Sequence, residues 1–179
     1  MVRRLVSLGF LILLLAACGG KKPTYKVIRQ GSWHGTPPAP VGEVLLTVST
    51  PDGRSYDLDR KALEQLTWVE RTTHYHPKEK DPPARFEGVL LKQIIEELRV
   101  PTANLRVKFI ALDDYELERP WSQLAPLEPI LALVQDGKQL DIDDYGPVRV
   151  ILPYDRLRPD PTKYNGLWVW QLRVIDFRN

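Results

Sequence analysis

Apolar and polar positions alternate in short runs along most of this chain, and only once do they settle into a helical rhythm. Leu91, Ile94, Ile95 and Leu98 fall at i, i+3, i+4 and i+7, one stripe of a helix that Pro101 closes. Residues 43–50 are rich in β-branched and aliphatic side chains, and Pro51-Asp52-Gly53 turns them toward residues 55–58, a hairpin signal. Asp59 is placed to cap a short helix over residues 61–66. Residues 67–75 are β-prone, and a charged stretch with prolines follows to Arg85. In Phe86-Glu87-Gly88-Val89 the glycine marks either a close backbone contact or a turn.

In the second half, Leu105, Val107, Phe109 and Ala111 alternate with Arg106 and Lys108. Ile110 and Leu112 then make the other face apolar too, as in a strand entering a core. Asp113-Asp114 predicts a turn into residues 115–118, and residues 120–124 a helical turn. A strand over 130–134 folds back through Asp136-Gly137 into 138–140, and Gly146-Pro147 launches another over 148–152. Residues 168–177 read as the last strand, with Trp168, Trp170, Leu172 and Val174 on one face. The apolar set then moves to Ile175 and Phe177, a sign of a bulge or twist. Short strands with few short helices and no βαβ rhythm predict an α+β domain of mixed, mainly antiparallel sheets.

The first 17 residues read as a leader rather than as structure. Arg3 and Arg4 precede an apolar run from Leu5 to Leu15, shorter than the roughly 20 residues of a membrane span. Leu15-Ala16-Ala17-Cys18 then has the form of a bacterial lipoprotein processing site, with Cys18 as the lipidated residue. Diacylglycerol on its sulfur plus an amide-linked chain gives the two anchors that stable attachment needs. The expected location is therefore the periplasmic side of the envelope. Gly19 follows the cysteine, which favours the outer membrane over the inner. Residues 18–42, with Pro23, Pro37, Pro38 and Pro40, are expected to be a flexible tether, the alternative being that Trp33 and His34 dock on the domain. The domain itself is expected over residues 43–179.

Charge removes one class of partner. Two of the 25 basic residues lie in the leader, so the rest match the 23 acidic ones and leave no net charge. No basic excess or stripe points to nucleic acid. With its one cysteine consumed by lipid, the folded part has no thiol for a disulfide, a nucleophile or a metal–thiolate bond.

An ordered set of short signals carries a family resemblance. Phe86-Glu87-Gly88-Val89-Leu90-Leu91 comes first, then Asp113-Asp114-Tyr115 with Pro120. Ile130-Leu131-Ala132 runs into Asp136-Gly137-Lys138 and Leu140, and Gly146-Pro147-Val148-Arg149-Val150-Ile151-Leu152-Pro153 follows. Trp170 and Ile175 close the series. Over residues 43–177 this resembles the molybdopterin-binding domain of the sulfite-oxidase family, particularly its short single-domain bacterial relatives. The resemblance implies mixed sheets with flanking helices around a cofactor cleft. It also implies molybdenum carried by a pterin dithiolene and held by a cysteine thiolate. That cysteine would fall where this chain reads Thr72-Thr73-His74-Tyr75. Tyr154-Asp155 stands where the family's enzymes have a glycine-bearing loop, and Val169 where they usually carry lysine.

The ligand-cleft candidates are His74, Tyr115 and Arg149. Arg149 alternates with apolar neighbours on its strand, so it either snorkels to the sheet edge or aims into the cleft. His74-x-His76 sets two imidazoles about 6–7 Å apart on one strand face. Glu79 or Asp81 could join them on zinc or copper, but a metal site needs three or four ligands and an exposed pair is the plainer reading. The acid pairs Asp113-Asp114 and Asp143-Asp144 point apart on turns and read as turn chemistry. The expected function is a cofactor-free binding or sensory-accessory module for a small anion, a pterin-like molecule or an envelope sensor protein. The alternative is a molybdopterin-dependent oxidoreductase whose metal takes Thr72, Thr73 or His74 in place of cysteine.

Overall fold

The computed structural model describes residues 22–74, 82–157 and 164–179. The leader, Cys18 and His76 lie outside the described residues, as do Glu79 and Asp81. In chain order the strands and helices are β1 (Lys26–Arg29), β2 (Val44–Ser49), β3 (Ser55–Asp59), α1 (Arg60–Glu64), β4 (Trp68–Thr73), β5 (Ala84–Leu90) and α2 (Leu91–Glu97). They continue as β6 (Arg106–Ala111), β7 (Glu116–Pro120), α3 (Trp121–Leu124), β8 (Ile130–Gln135), β9 (Lys138–Gln139), β10 (Arg149–Ile151), α4 (Tyr154–Leu157) and β11 (Leu172–Arg178).

The strands form two sheets. One runs β1-β4-β5-β8-β10, with β9 also on β8; the other runs β3-β2-β11-β6-β7. Every pairing is antiparallel except that of β11 with β2. This is the α+β arrangement of mainly antiparallel sheets that the alternation predicts. One contiguous core cluster draws on both sheets, and α1 touches β3 of one sheet and β5 of the other. Local signals act where expected. Asp59 Oδ1 accepts the Ala62 N–H at 2.7 Å and caps α1, and Thr50, Gly53 and Arg54 close the β2–β3 turn through backbone hydrogen bonds. The apolar stripe of α2 is buried at Leu91, Ile94 and Ile95.

Gly88 belongs to a close contact rather than a turn. It sits inside β5, where a Cβ would lie 2.0 Å from the Leu131 carbonyl oxygen and 2.8 Å from Ala132 Cα. The register slips between Glu87 and Gly88, which lets β8 approach the bare glycine.

Residues 22–42 correct the expected tether. β1 pairs antiparallel with β4, and Thr24 N and Oγ1 donate to Glu128 Oε2 at 2.9 and 2.6 Å. Trp33 is 6% exposed, and its indole N–H donates to the Ala62 carbonyl at 2.7 Å. Glu97 Oε2 accepts the N–H groups of Trp33 and Gly35 at 3.1 and 3.2 Å. Asp59 Oδ2 does the same for Val41 and Gly42 at 2.8 and 3.0 Å. The buried, hydrogen-bonded tryptophan offsets part of the entropy of ordering the segment, and the β1–β4 pairing and the Glu97, Asp59 and Glu128 contacts add to it. The prolines at 37, 38 and 40 fall between anchor points, outside any helix or strand, where no ladder N–H is required. The folded unit therefore begins well before residue 43.

The last strand is also shorter than expected. β11 starts at Leu172, while Asn165–Leu167 forms a 3-10 turn and Gln171 takes a positive φ of 48°. Trp168 is buried and Trp170 exposed, so the two do not share a strand face. The anticipated irregularity is present as a register shift between Leu172 and Val174.

Candidate functional site

Arg149 is a buried charged group at the wall of a cavity. β10 places it on β8, opposite Ala132, and its side chain is 4% exposed. Its Nη1 donates to Gln135 Oε1 at 3.0 Å. The guanidinium carbon stands 5.5 Å from the centroid of the Phe86 ring and 5.7 Å from that of Tyr145, within cation–π range of both. Snorkelling to the sheet edge is thereby replaced by an inward orientation. Phe86 is the cross-strand partner of Gln135, so β5, β8 and β10 each contribute one group to this cluster.

The cluster forms a wall of a cavity of about 570 Å³, lined also by Pro82, Ala84, Lys138 and Asp144. Lys138 and Asp144 pair at 3.4 Å, and Asp136 is turned to the Arg85 N–H at 2.9 Å. Tyr145, half-exposed with φ of 62°, packs on Trp170 with ring centroids 4.4 Å apart and planes tilted by 42°.

Tyr115 is not in this cavity. Its hydroxyl donates to the Gly166 carbonyl at 3.3 Å, and it lines a smaller hollow of about 280 Å³ with Asp113, Trp168 and Trp170. Tyr145 lines the first hollow and Trp170 the second, and the two rings meet, so the Arg149 and Tyr115 hollows are distinct but joined through one aromatic contact.

His74 directly follows β4 and is half-buried. Asp155 holds it twice, accepting its backbone N–H at 2.8 Å and meeting Nδ1 at 2.8 Å. Thr73 Oγ1 donates to the His74 carbonyl at 3.3 Å and accepts the Asp155 N–H at 3.4 Å. Thr73 is the Cα partner of Ala84, which lines the Arg149 cavity, so His74 is near that cavity without forming its wall. Phe86, Gln135, Tyr145 and Asp155 were not anticipated as site residues. Phe86 opens the family-like segment Phe86-Glu87-Gly88-Val89-Leu90-Leu91, but nothing in it marks the ring as a cavity wall, and Gln135 carries no signal beyond its place in a strand. Asp155 carried one, as the residue standing in place of a glycine-bearing loop.

A second buried guanidinium, Arg71 on β4, shares a face with Phe86 through the β4–β5 register and is 2% exposed. Its Nη1 donates to the Ile151 carbonyl at 3.1 Å, and Nη2 to the Glu128 carbonyl at 2.8 Å and to Thr24 Oγ1 at 2.7 Å. Burial pushes this guanidinium down to about 10, against the opposing pull of the Glu128 charge. Carbonyl and hydroxyl acceptors occupy its donors, which marks it as a structural clamp.

These residues do not fit a thiolate-held molybdenum. Of the three residues that could replace the cysteine, Thr72 is exposed, the Thr73 hydroxyl is buried and engaged, and the His74 ring is taken by Asp155, and none offers the soft thiolate that the metal calls for. Among the described residues no three His, Cys, Asp or Glu side chains converge as a metal site.

The fold has a solved counterpart. The crystal structure of the sulfane dehydrogenase SoxCD from Paracoccus pantotrophus aligns with a TM-score of 0.55 at 12% identity, covering 74% of this chain and 37% of that one. No curated protein matches by sequence. Residues 60–155, just over half of the 179, match the family described as oxidoreductase molybdopterin binding domain, and the chain belongs to that family.

Proposed function

We propose that this protein is a lipid-anchored binding or sensory-accessory module of the periplasm, in which a sulfite-oxidase-type domain works without molybdenum. Its Arg149 cavity takes a small anion or a pterin-like molecule. One observation carries the reading: a guanidinium on a residue 4% exposed, within cation–π reach of two aromatic rings at the wall of a cavity of about 570 Å³. A cation held that far from water is expected to favour an anionic or electron-rich planar ligand. The anchor rests on the Leu15-Ala16-Ala17-Cys18 sequence, and Gly19 favours the outer membrane. The missing thiolate is the ground for a role without metal chemistry. A ligand-dependent contact with an envelope sensor protein would use the same cavity rim.

A thermal-shift screen with oxyanions and pterins tests the reading. At least one class should raise the melting temperature of the wild-type chain, and Arg149→Gln should remove that shift. Tyr145→Ala, at a half-exposed position on the rim, should weaken it without disturbing the core. A wild-type protein that no anion or pterin moves has no such site. Molybdenum near one per chain in periplasmically expressed protein would instead support a molybdopterin-dependent oxidoreductase.

A further inference from the structure

We propose that the β1 edge of the first sheet is the face this protein turns to the bilayer holding its lipid. The inference rests on lipidation at Cys18, as read above. Thr24 is fixed to the domain, because it donates to Glu128 and accepts from Arg71 through both its carbonyl and its hydroxyl. Six residues lead from Cys18 to Thr24, a span of at most about 20 Å even when fully extended. A lipid seated in the membrane therefore keeps Thr24 within that distance of the surface. The domain is held against the bilayer rather than trailing from it.

The strand nearest the anchor has the composition for such a contact. β1 is exposed along its whole length, with Val27 at 40% and Ile28 at 46%. Lys22, Lys26 and Arg29 flank these two apolar side chains. Exposed aliphatic groups between basic ones match the headgroup boundary of an anionic leaflet. The Lys26 ammonium meets Glu70 at 3.2 Å and stays 75% exposed, and Arg29 donates to the Glu64 carbonyl, so both charges remain at the surface. An extended peptide adding to the edge is the other conceivable occupant. Against it, β1 has only four residues, its ladder is interrupted between Val27 and Arg29, and it carries basic groups, all features that blunt an edge.

The test uses the full chain, expressed with its leader and reconstituted into vesicles of phosphatidylethanolamine and phosphatidylglycerol. Because lipid occupies the one native thiol, a single fluorophore can be placed through Val27→Cys or, on the edge strand β3 of the other sheet, through Ser55→Cys. Headgroup-labelled quencher lipids should quench the label at position 27 several-fold more than the one at 55. Mass analysis of the N-terminal peptide reports lipidation separately. Equal quenching at the two positions with the lipid present overturns the orientation and leaves the anchor standing. An unlipidated Cys18 removes both.

Discussion

The Arg71 guanidinium on β4 donates to the Ile151 carbonyl on β10 at 3.1 Å, although β5 and β8 lie between those strands in the sheet. In a flat sheet, strands three places apart stand about 14 Å from one another, farther than the side chain reaches. The first sheet is therefore rolled, and Arg71 spans its open seam. The same guanidinium holds the Glu128 carbonyl and Thr24, so one buried cation ties the N-terminal segment, the start of β8 and the end of β10 together. His74 and Asp155 bridge the β4 and post-β10 segments a second time, nearer the Arg149 cavity.

Removing the clamp should cost more than a surface arginine would. Arg71→Met leaves three buried or half-buried carbonyls, those of Ile151, Glu128 and Thr24, without this donor. Each unsatisfied acceptor costs on the order of 1 kcal/mol or more, so a loss of about 3 kcal/mol is expected. At about 2–4 °C per kcal/mol for a domain of this size, thermal melting should fall by roughly 6–12 °C. Arg71→Lys should recover only part, because an ammonium cannot reproduce the planar fork. A melting temperature unchanged by Arg71→Met would mean that the seam is held by other contacts.

Gly88 sets the spacing of β5 against β8. In Gly88→Ala the new methyl would press on the Leu131 carbonyl and Ala132 Cα, both backbone and unable to swing aside. Overpacking of this kind costs about 1–3 kcal/mol. Since β8 also carries Gln135 and pairs with Arg149, the shift should reach the cavity wall. Calorimetry should show lower stability together with weaker ligand-induced stabilisation. A variant as stable as wild type would mean that the two strands separate at little cost.

How far the residues announce this fold depends on whether their signal is local. The α2 stripe, the Asp59 cap, the Asp136-Gly137 hairpin and the bulge near Leu172 all follow from neighbours a few positions apart. Trp33 is different: its partner is the Ala62 carbonyl, 29 positions away, and a proline-rich context reads as a linker until that partner is known. Arg71 sits between Val69 and Thr73 on the buried side of a strand, a placement that hints at an inward charge but names none of its acceptors. Within the candidate site, the apolar neighbours of Arg149 leave two orientations open, the sheet edge or the interior, and its burial selects the second. Its aromatic partners are not marked at all, because Phe86 and Tyr145 lie 59 residues apart and only the pairing of β5 and β10 on either side of β8 brings them to one guanidinium.

The docked N-terminal segment supplies a stability prediction of its own. Trp33→Ala removes a side chain that is 6% exposed and its hydrogen bond to Ala62. Truncating a buried tryptophan costs about 3–5 kcal/mol. Limited proteolysis should then cut within residues 22–42 in the variant and leave that stretch intact in wild type. Equal cleavage of both would show that the indole does not hold the segment.

Acid should release the same segment through Glu97. Partial burial pushes this carboxyl up, but hydrogen bonds from Ser32, the Gly35 and Trp33 N–H groups and Gln93 outweigh that and hold it below the ordinary glutamate value. A carboxyl lowered on folding binds its proton more readily in the unfolded chain. Its contribution is therefore fully present above the unfolded value and is lost as pH falls through the folded one. The N–H groups of Trp33 and Gly35 should lose hydrogen-exchange protection over that acid window, before the core strands do. In Glu97→Gln, which keeps an acceptor but cannot titrate there, protection at those two amides should be weaker at neutral pH and should lack this acid-dependent step. If wild type and variant lose protection along the same pH curve, the titrating group is not Glu97.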